Sequence, residues 1–353
     1  MIFLNQIFLY RLFDIAEEIN LAKAEEILSE KRPFRLKLKK IPPKAIHIEE
    51  PPLIFEYSTG FYFFNGKTLQ TKIAGKIFAW GVLSLNLSLD LKDLNHDEFL
   101  ELMVYLNNTE EFDGLFKKEV KFLKDLLTPA LIKPSPELFE EDFLIFFTNE
   151  KPNYDPVPLL LGEKEPISST TRAEILNNRF SYADTDMTII TWDAAFVYDA
   201  NGNMDVIDLL EFAVSQLLEL RYYDSLLTKA INEMYQDIDQ AEEERGYKKL
   251  GKYRTIMKRL LKTVADITEI TERVQNALKV TEDVFYARVY SQALRIFRTN
   301  IWAEQIRHKL NVLERSYSML SEEVVTSRFL ALEITIVLLI LLEFILALLP
   351  YFK

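Results

Sequence analysis

The sequence predicts an α+β protein in three parts. An N-terminal mixed α/β domain covers residues 1–202, long helices forming a coiled coil or helical bundle cover 203–328, and one C-terminal transmembrane helix covers 329–349. Three observations predict it. Before residue 203, short runs with strand or helix periodicity alternate with turns rich in Pro, Gly and Asn. From residue 203 to residue 349 proline is absent, as long helices require. The run FLALEITIVLLILLEFILALL at 329–349 carries only two charges, Glu333 and Glu343, and at 1.5 Å per residue spans roughly 31 Å, about the hydrocarbon thickness of a bilayer.

Along the chain, residues 3–13 suit a first strand and 15–28 a helix, with Ile15, Ile19, Ala22 and Ile27 as its apolar positions. Residues 31–44 are basic and end in Pro42–Pro43, a pattern for an exposed connection. Asn65–Gly66, flanked by aromatic and polar runs, is a two-residue hairpin signal. Residues 75–89 predict one long strand, 97–107 and 111–127 two helices, and 142–148, 187–192 and 194–198 three further strands. Prolines 134, 136, 152, 156, 158 and 166 mark irregular segments between them. Two long helices follow, over 205–243 and 247–298. In the last helix Ile306, Leu310, Leu313, Tyr317, Leu320 and Val324 step by three and four residues, a heptad seam leading into the apolar run.

Composition narrows the function classes. A net charge of −12 opposes general nucleic-acid binding, and 9 glycines oppose a glycine-rich nucleotide fold. Without cysteine the chain has no thiol chemistry, thiolate metal site or disulfide. The apolar N-terminus lacks a basic start and is interrupted by Asn5, Gln6 and Arg11, so a strand fits better than a signal peptide. No cofactor is expected. With four residues after the span, the expected location is the cell membrane, single-pass, with the bulk of the chain cytoplasmic.

Two motifs imitate ligand sites. Gly66-Lys67-Thr68 resembles the end of a phosphate loop, but Gly60 is one position too far and bulky residues fill the gap. Asp199, Asn201, Asn203 and Asp205 resemble half a calcium loop, but the glycine is misplaced and Leu210 stands where the bidentate glutamate belongs. The three histidines, His47, His96 and His308, form no ligand pattern.

Four groups of residues remain as candidates. Asp184, Asp186 and Asp193 could gather carboxylates for acid–base or metal chemistry. Arg221 and Asp224 fall on the seam of the helix at 209–227, spaced as a salt-bridged pair, with Glu211, Glu219 and Tyr222 able to join a buried polar cluster. Lys248, Lys249, Lys252, Arg254, Lys258, Arg259 and Lys262 give the next helix a basic face suited to solvent, RNA or lipid headgroups. Glu333 lies about 6 Å inside the apolar run and can snorkel, whereas Glu343 lies about 9 Å from its far end and calls for partners within the membrane.

The segments LFDIAEEINLAKAEEIL, KIFAWGVLSLNL, the helix containing ELRYYD and the terminal LEITIVLLILLEFIL together resemble the "required for meiotic nuclear division" family of bacteria, fungi and mitochondria, in particular its bacterial members. That resemblance implies a membrane-anchored protein without established catalysis, whose mitochondrial relatives assemble in the inner membrane and support translation. The expected function is therefore a tail-anchored, homo-oligomeric membrane scaffold or tether. The alternatives are an enzyme with a site near Asp184/Asp186/Asp193 or Arg221/Asp224, and a tether of RNA or the ribosome at the membrane.

Overall fold

A computed structural model describes residues 5–38, 46–91, 94, 96–276, 278–280 and 285–348. It is α+β, with a sheet-containing N-terminal part and long C-terminal helices. Strands give way to helices near residue 203, but the compact units divide inside a helix: residues 1–222 with 270–303 form one, and 223–269 with 304–353 the other.

The first unit is built on a mixed sheet whose strand order, among the described residues, is β2 (Phe34–Arg35), β4 (Leu53–Phe64), β5 (Lys67–Ile77), β6 (Val82–Asp90), β1 (Asn5–Ile19), β7 (Leu131–Thr148), β10 (Ala194–Asp199), β9 (Asp186–Ile190) and β8 (Arg179–Phe180). Its central strand, β1 (Asn5–Ile19), pairs antiparallel with β6 (Val82–Asp90) and with β7 (Leu131–Thr148). The alternation of a strand sends Ile7, Leu9 and Phe13 to one face, and Phe8, Tyr10, Leu12 and Asp14 to the other. On the first face, α1 (Leu21–Ile27) and α3 (Asp113–Leu127) bury their apolar stripes against Phe13, Ile15, Leu83 and Leu85. In α3 the buried positions Phe116, Val120, Leu123 and Leu127 recur at helical spacing. Nearby, α2 (His96–Asn108), α4 (Val157–Leu161) and α5 (Ser169–Leu176) belong to a core containing Ile7, Leu89, Phe146 and Phe196. The other face carries the start of α6 (Asp205–Glu242) and α8 (Phe285–Ile296), where Phe212 meets Phe78, Trp80 and Tyr290.

The structure corrects several sequence expectations. The helix expected from residue 15 begins at Leu21, because β1 continues to Ile19 and the Asn20 side chain caps Lys23 N at 3.0 Å. The single strand expected over 75–89 is split into β5 (Lys67–Ile77) and β6 by a tight turn. Gly81 makes that turn at φ +100°, so close to Ala16 that an added Cβ would lie 1.8 Å from its carbonyl oxygen. Pro134 and Pro136 lie within β7 rather than in a loop. They fall in its first part, where Pro134 lies opposite Ala16 of β1 and the parallel partner β10 (Ala194–Asp199) has not yet joined, so no ladder bond is lost on the β10 side. The helix expected over 247–298 stops as α7 (Tyr247–Asn276). Leu278–Val280 instead pairs as β11 with β3 (Ile46–Ile48), a tertiary pairing that overrides local helix preference. The Asn65–Gly66 hairpin is present, both residues having positive φ between β4 (Leu53–Phe64) and β5.

The second unit consists of the end of α6, the larger part of α7 and α9 (Thr299–Leu348) from Glu304 onward. The seam residues Ile306, Leu310, Leu313, Leu320 and Val324 of α9 are buried, as are Leu227, Met234 and Ala241 of α6 and Tyr253, Ile256 and Leu260 of α7. The heptad seam is thus used inside the chain, in a three-helix bundle whose α6–α7 turn passes through Gly246 at φ +58°. From Val325 to Ile345 no residue of α9 is buried, and Phe329 through Ile345 are exposed without exception.

The expected transmembrane helix is not supported over the described residues, none of whose helices is long and apolar enough to cross a membrane. The described side chains end at Ile345, and an eighteen-residue stretch ending there includes Arg328 together with Glu333 and Glu343. The end of the expected span, 346–349, lies outside the residues whose side chains are described.

Candidate functional site

The first half of α6 is buried, yet it carries a line of polar residues. Asp208, Glu211, Ser215, Glu219 and Tyr222 succeed one another at three- and four-residue spacing and therefore share one helix face. Glu211, Ser215 and Glu219 are at most 4% exposed. Such groups need partners, since a buried charge left alone costs several kcal/mol. The sheet supplies them.

At the start of the line, Lys76 of β5 reaches Asp208 at 2.8 Å and Glu211 at 2.6 Å. Burial by itself lowers an ammonium pKa, but the two carboxylates reverse this and hold Lys76 above its ordinary value. The Tyr10 hydroxyl, buried and close to both carboxylates, is also pushed up. These groups border a cavity of about 130 Å³, together with Phe8, Ile54, Asn86 and Ile207. Gly75 belongs to the same lining, and a Cβ there would meet the Phe55 ring at 2.2 Å.

Further along, Glu219 lies beside Asp14 of β1, and both are fully buried. The Ser135 hydroxyl donates to Asp14, and Lys124 donates to the Ser135 carbonyl at 2.6 Å. Burial pushes the Asp14 carboxyl up to about 7, against the opposing pull of Ser135, Glu219 and Lys124. Two ionised carboxylates are both acceptors, so a bond between them requires a proton on one. Tyr222 closes the line against the Phe139 ring, 5.8 Å between centroids.

The expected Arg221–Asp224 salt bridge is not formed. Arg221 bonds Glu141 of β7 and lies over the Trp302 ring at 5.8 Å. Asp224 binds Lys309 of α9 at 2.6 Å. The long guanidinium reaches the sheet, and the short aspartate is taken by a lysine from the adjacent helix. Burial pushes Glu141 up to about 7 despite Arg221. Of the expected cluster, Glu211, Glu219 and Tyr222 do share the buried face, but with partners from the sheet.

The other candidates are placed as follows. Asp186 accepts from Tyr182 N at 2.6 Å and Ala183 N at 3.1 Å, while Asp193 accepts from Thr191 at 3.0 Å. They stand at opposite ends of the hairpin formed by β9 (Asp186–Ile190) and β10, with Asp184 exposed, so no cleft gathers the three. Asp199 accepts from Asn201 N and Asn203 N, the bonding of a turn that leads into α6. On α7, Lys249 pairs with Glu323, Lys252 with Glu244 and Arg259 with Asp237. Lys248, Arg254, Lys258 and Lys262 are exposed. Glu333 and Glu343 are exposed on the apolar end of α9.

Sequence reasoning missed Lys76, Asp14, Ser135 and Glu141. Lys76 and Asp14 carried a signal, each being a charge inside an otherwise apolar strand pattern. Ser135 and Glu141 carried none, because their stretch of β7 reads as a loop.

The chain is 27% identical over 269 residues to "Uncharacterized protein MJ0711" of Methanocaldococcus jannaschii, covering 73% of this chain and 77% of that protein. No solved structure matches it. The matching family model covers residues 4–205, and the chain belongs to that family, described as "Uncharacterized protein MJ0711, N-terminal domain".

Proposed function

We propose that the protein is a membrane-anchored scaffold, held in the bilayer by the apolar end of α9 and associating with copies of itself there. One observation carries this reading: from Phe329 to Ile345 the helix is apolar apart from two glutamates and one threonine, and every side chain is exposed. A helix apolar on all sides needs an apolar surrounding on all sides, which a bilayer supplies and a single protein groove does not. The sequence continues the apolar run to residue 349, giving roughly 31 Å. Within α6 and the sheet, the buried charges are engaged with one another, which suits a structural core better than a catalytic centre.

On this reading the cell membrane is the location, and the sheet unit stands on the cytoplasmic side. The resemblance to the "required for meiotic nuclear division" family points the same way. Self-association follows from Glu343, a carboxyl deep in the apolar run that a second helix would accommodate more cheaply than lipid. A second reading, a tether of RNA or the ribosome, is favoured by the exposed Lys248, Arg254, Lys258 and Lys262 on α7. Binding of RNA that weakens steeply with salt would favour it.

The test is membrane extraction of the full chain against a chain ending at Arg328. The full chain is expected to stay with membranes through an alkaline carbonate wash, and the shortened one to be released. Release of both would overturn the anchor.

A further inference from the structure

We propose that the α6–α7 turn, with Tyr247 at its tip, rests in the phospholipid headgroup layer beside the point where α9 enters the bilayer. The proposal builds on the anchor reading above and adds a second contact to it.

Two ion pairs fix the level of the tip within the bundle. Asp224 of α6 binds Lys309 of α9 at 2.6 Å, and Lys249 of α7 binds Glu323 of α9 at 3.5 Å. From Asp224 to the end of α6 at Glu242, and from Lys309 to Ser327, the two helices advance equally, roughly 27 Å at 1.5 Å per residue. The two registers agree: the last turn of α6 is level with Ser327, and the first turn of α7 is level with Glu323. The connecting turn therefore reaches the level of Arg328 and Phe329, where the apolar run begins.

The side chains at that level suit a headgroup layer. Tyr247 is 88% exposed, the most exposed of the large apolar or aromatic side chains described. An aromatic ring with a polar tip is stabilised at the membrane–water boundary. Arg245, Lys248 and Arg328 are exposed and can donate to lipid phosphates. Of the acids at that level, Glu244 and Glu323 are bound by Lys252 and Lys249. Exposed Glu242, Glu243 and Glu322 balance the three exposed cations, so the contact draws on phosphate and interface chemistry common to phospholipids and does not depend on an anionic lipid.

The test uses the full chain with Tyr247→Trp in phosphatidylcholine vesicles, where Trp80, Trp192 and Trp302 of the unchanged chain give the background emission. A spin label on the lipid headgroup is expected to quench about half or more of the added emission, and a label at the acyl-chain end much less. Added emission that stays unquenched in chains that float with the vesicles would overturn the tip contact and leave the anchor standing. Chains that do not float would overturn both.

Discussion

Asp14 of β1 and Glu219 of α6 are two carboxyl groups buried side by side, neither exposed to solvent, with Ser135 donating to Asp14. A hydrogen bond between the two carboxyls requires a proton on one of them.

This makes folding stability pH-dependent with a definite sign. The Asp14 carboxyl, about 7 in the folded chain, lies above its ordinary value of 3.8, so the folded state binds a proton that the unfolded state has released. The resulting stabilisation is complete below the ordinary value and is lost as pH rises through 7. Glu141, also pushed up to about 7 by burial, acts with the same sign. Each group titrating fully in that window contributes at most ~1.4 kcal/mol per pH unit. Asp14→Asn is therefore expected to unfold with a weaker pH dependence than the parent between about pH 4 and pH 7 in denaturant titrations. Equal slopes for the two chains would show that the pair does not share a proton.

Lys76 provides a test of opposite character. It neutralises Glu211 and Asp208 where Glu211 is only 4% exposed. Lys76→Met leaves that glutamate buried without its cation, a loss of about 3–5 kcal/mol when one partner of a buried pair is removed. Changing Glu211→Leu as well removes the stranded charge and should restore most of the loss. A single variant within about 1 kcal/mol of the parent would mean that water, not Lys76, satisfies Glu211.

Two glycines separate conformational strain from steric collision. Gly66 has φ +77° with open space around its Cβ position, so Gly66→Ala should cost only the left-handed penalty of about 1–2 kcal/mol. Gly81 combines φ +100° with a Cβ position 1.8 Å from the Ala16 carbonyl oxygen, a backbone atom fixed within β1. Gly81→Ala should exceed the Gly66 cost by several-fold or abolish folding, as read by thermal melts of both variants. Comparable melts would mean that the turn relaxes freely.

What could be read in advance follows from the range of the interactions involved. The Asn65–Gly66 hairpin, the start of α6 and the seam of α9 are written in local spacing, and all three are present. The break at Gly81 and the extension of β1 through Ile19 were not legible, because both depend on how the two segments pair with each other. Glu211, Glu219 and Tyr222 could be placed on one helix face from spacing alone. Their partners could not, since Lys76, Asp14 and Phe139 are distant in sequence and are brought together only by strand order. The same reason explains why Arg221 and Asp224, correctly spaced for each other, are bound elsewhere.

The α9 seam bears directly on assembly. Its heptad positions through Val324, apart from the half-buried Tyr317, are buried inside the chain's own bundle, so they offer little face to a second copy. The self-association proposed above would then fall to the apolar run, in which Glu333 lies close to the start and Glu343 deeper. A carboxyl near the start can reach the headgroup region, whereas a deeper one gains more from a hydrogen-bonding partner on another helix. Glu343→Leu is accordingly expected to keep the protein attached to membranes while lowering the mass of the detergent-solubilised particle, measured by light scattering. Glu333→Leu should leave that mass nearly unchanged. A particle of unaltered mass in Glu343→Leu would remove the carboxyl from assembly and reduce the end of α9 to an anchor alone.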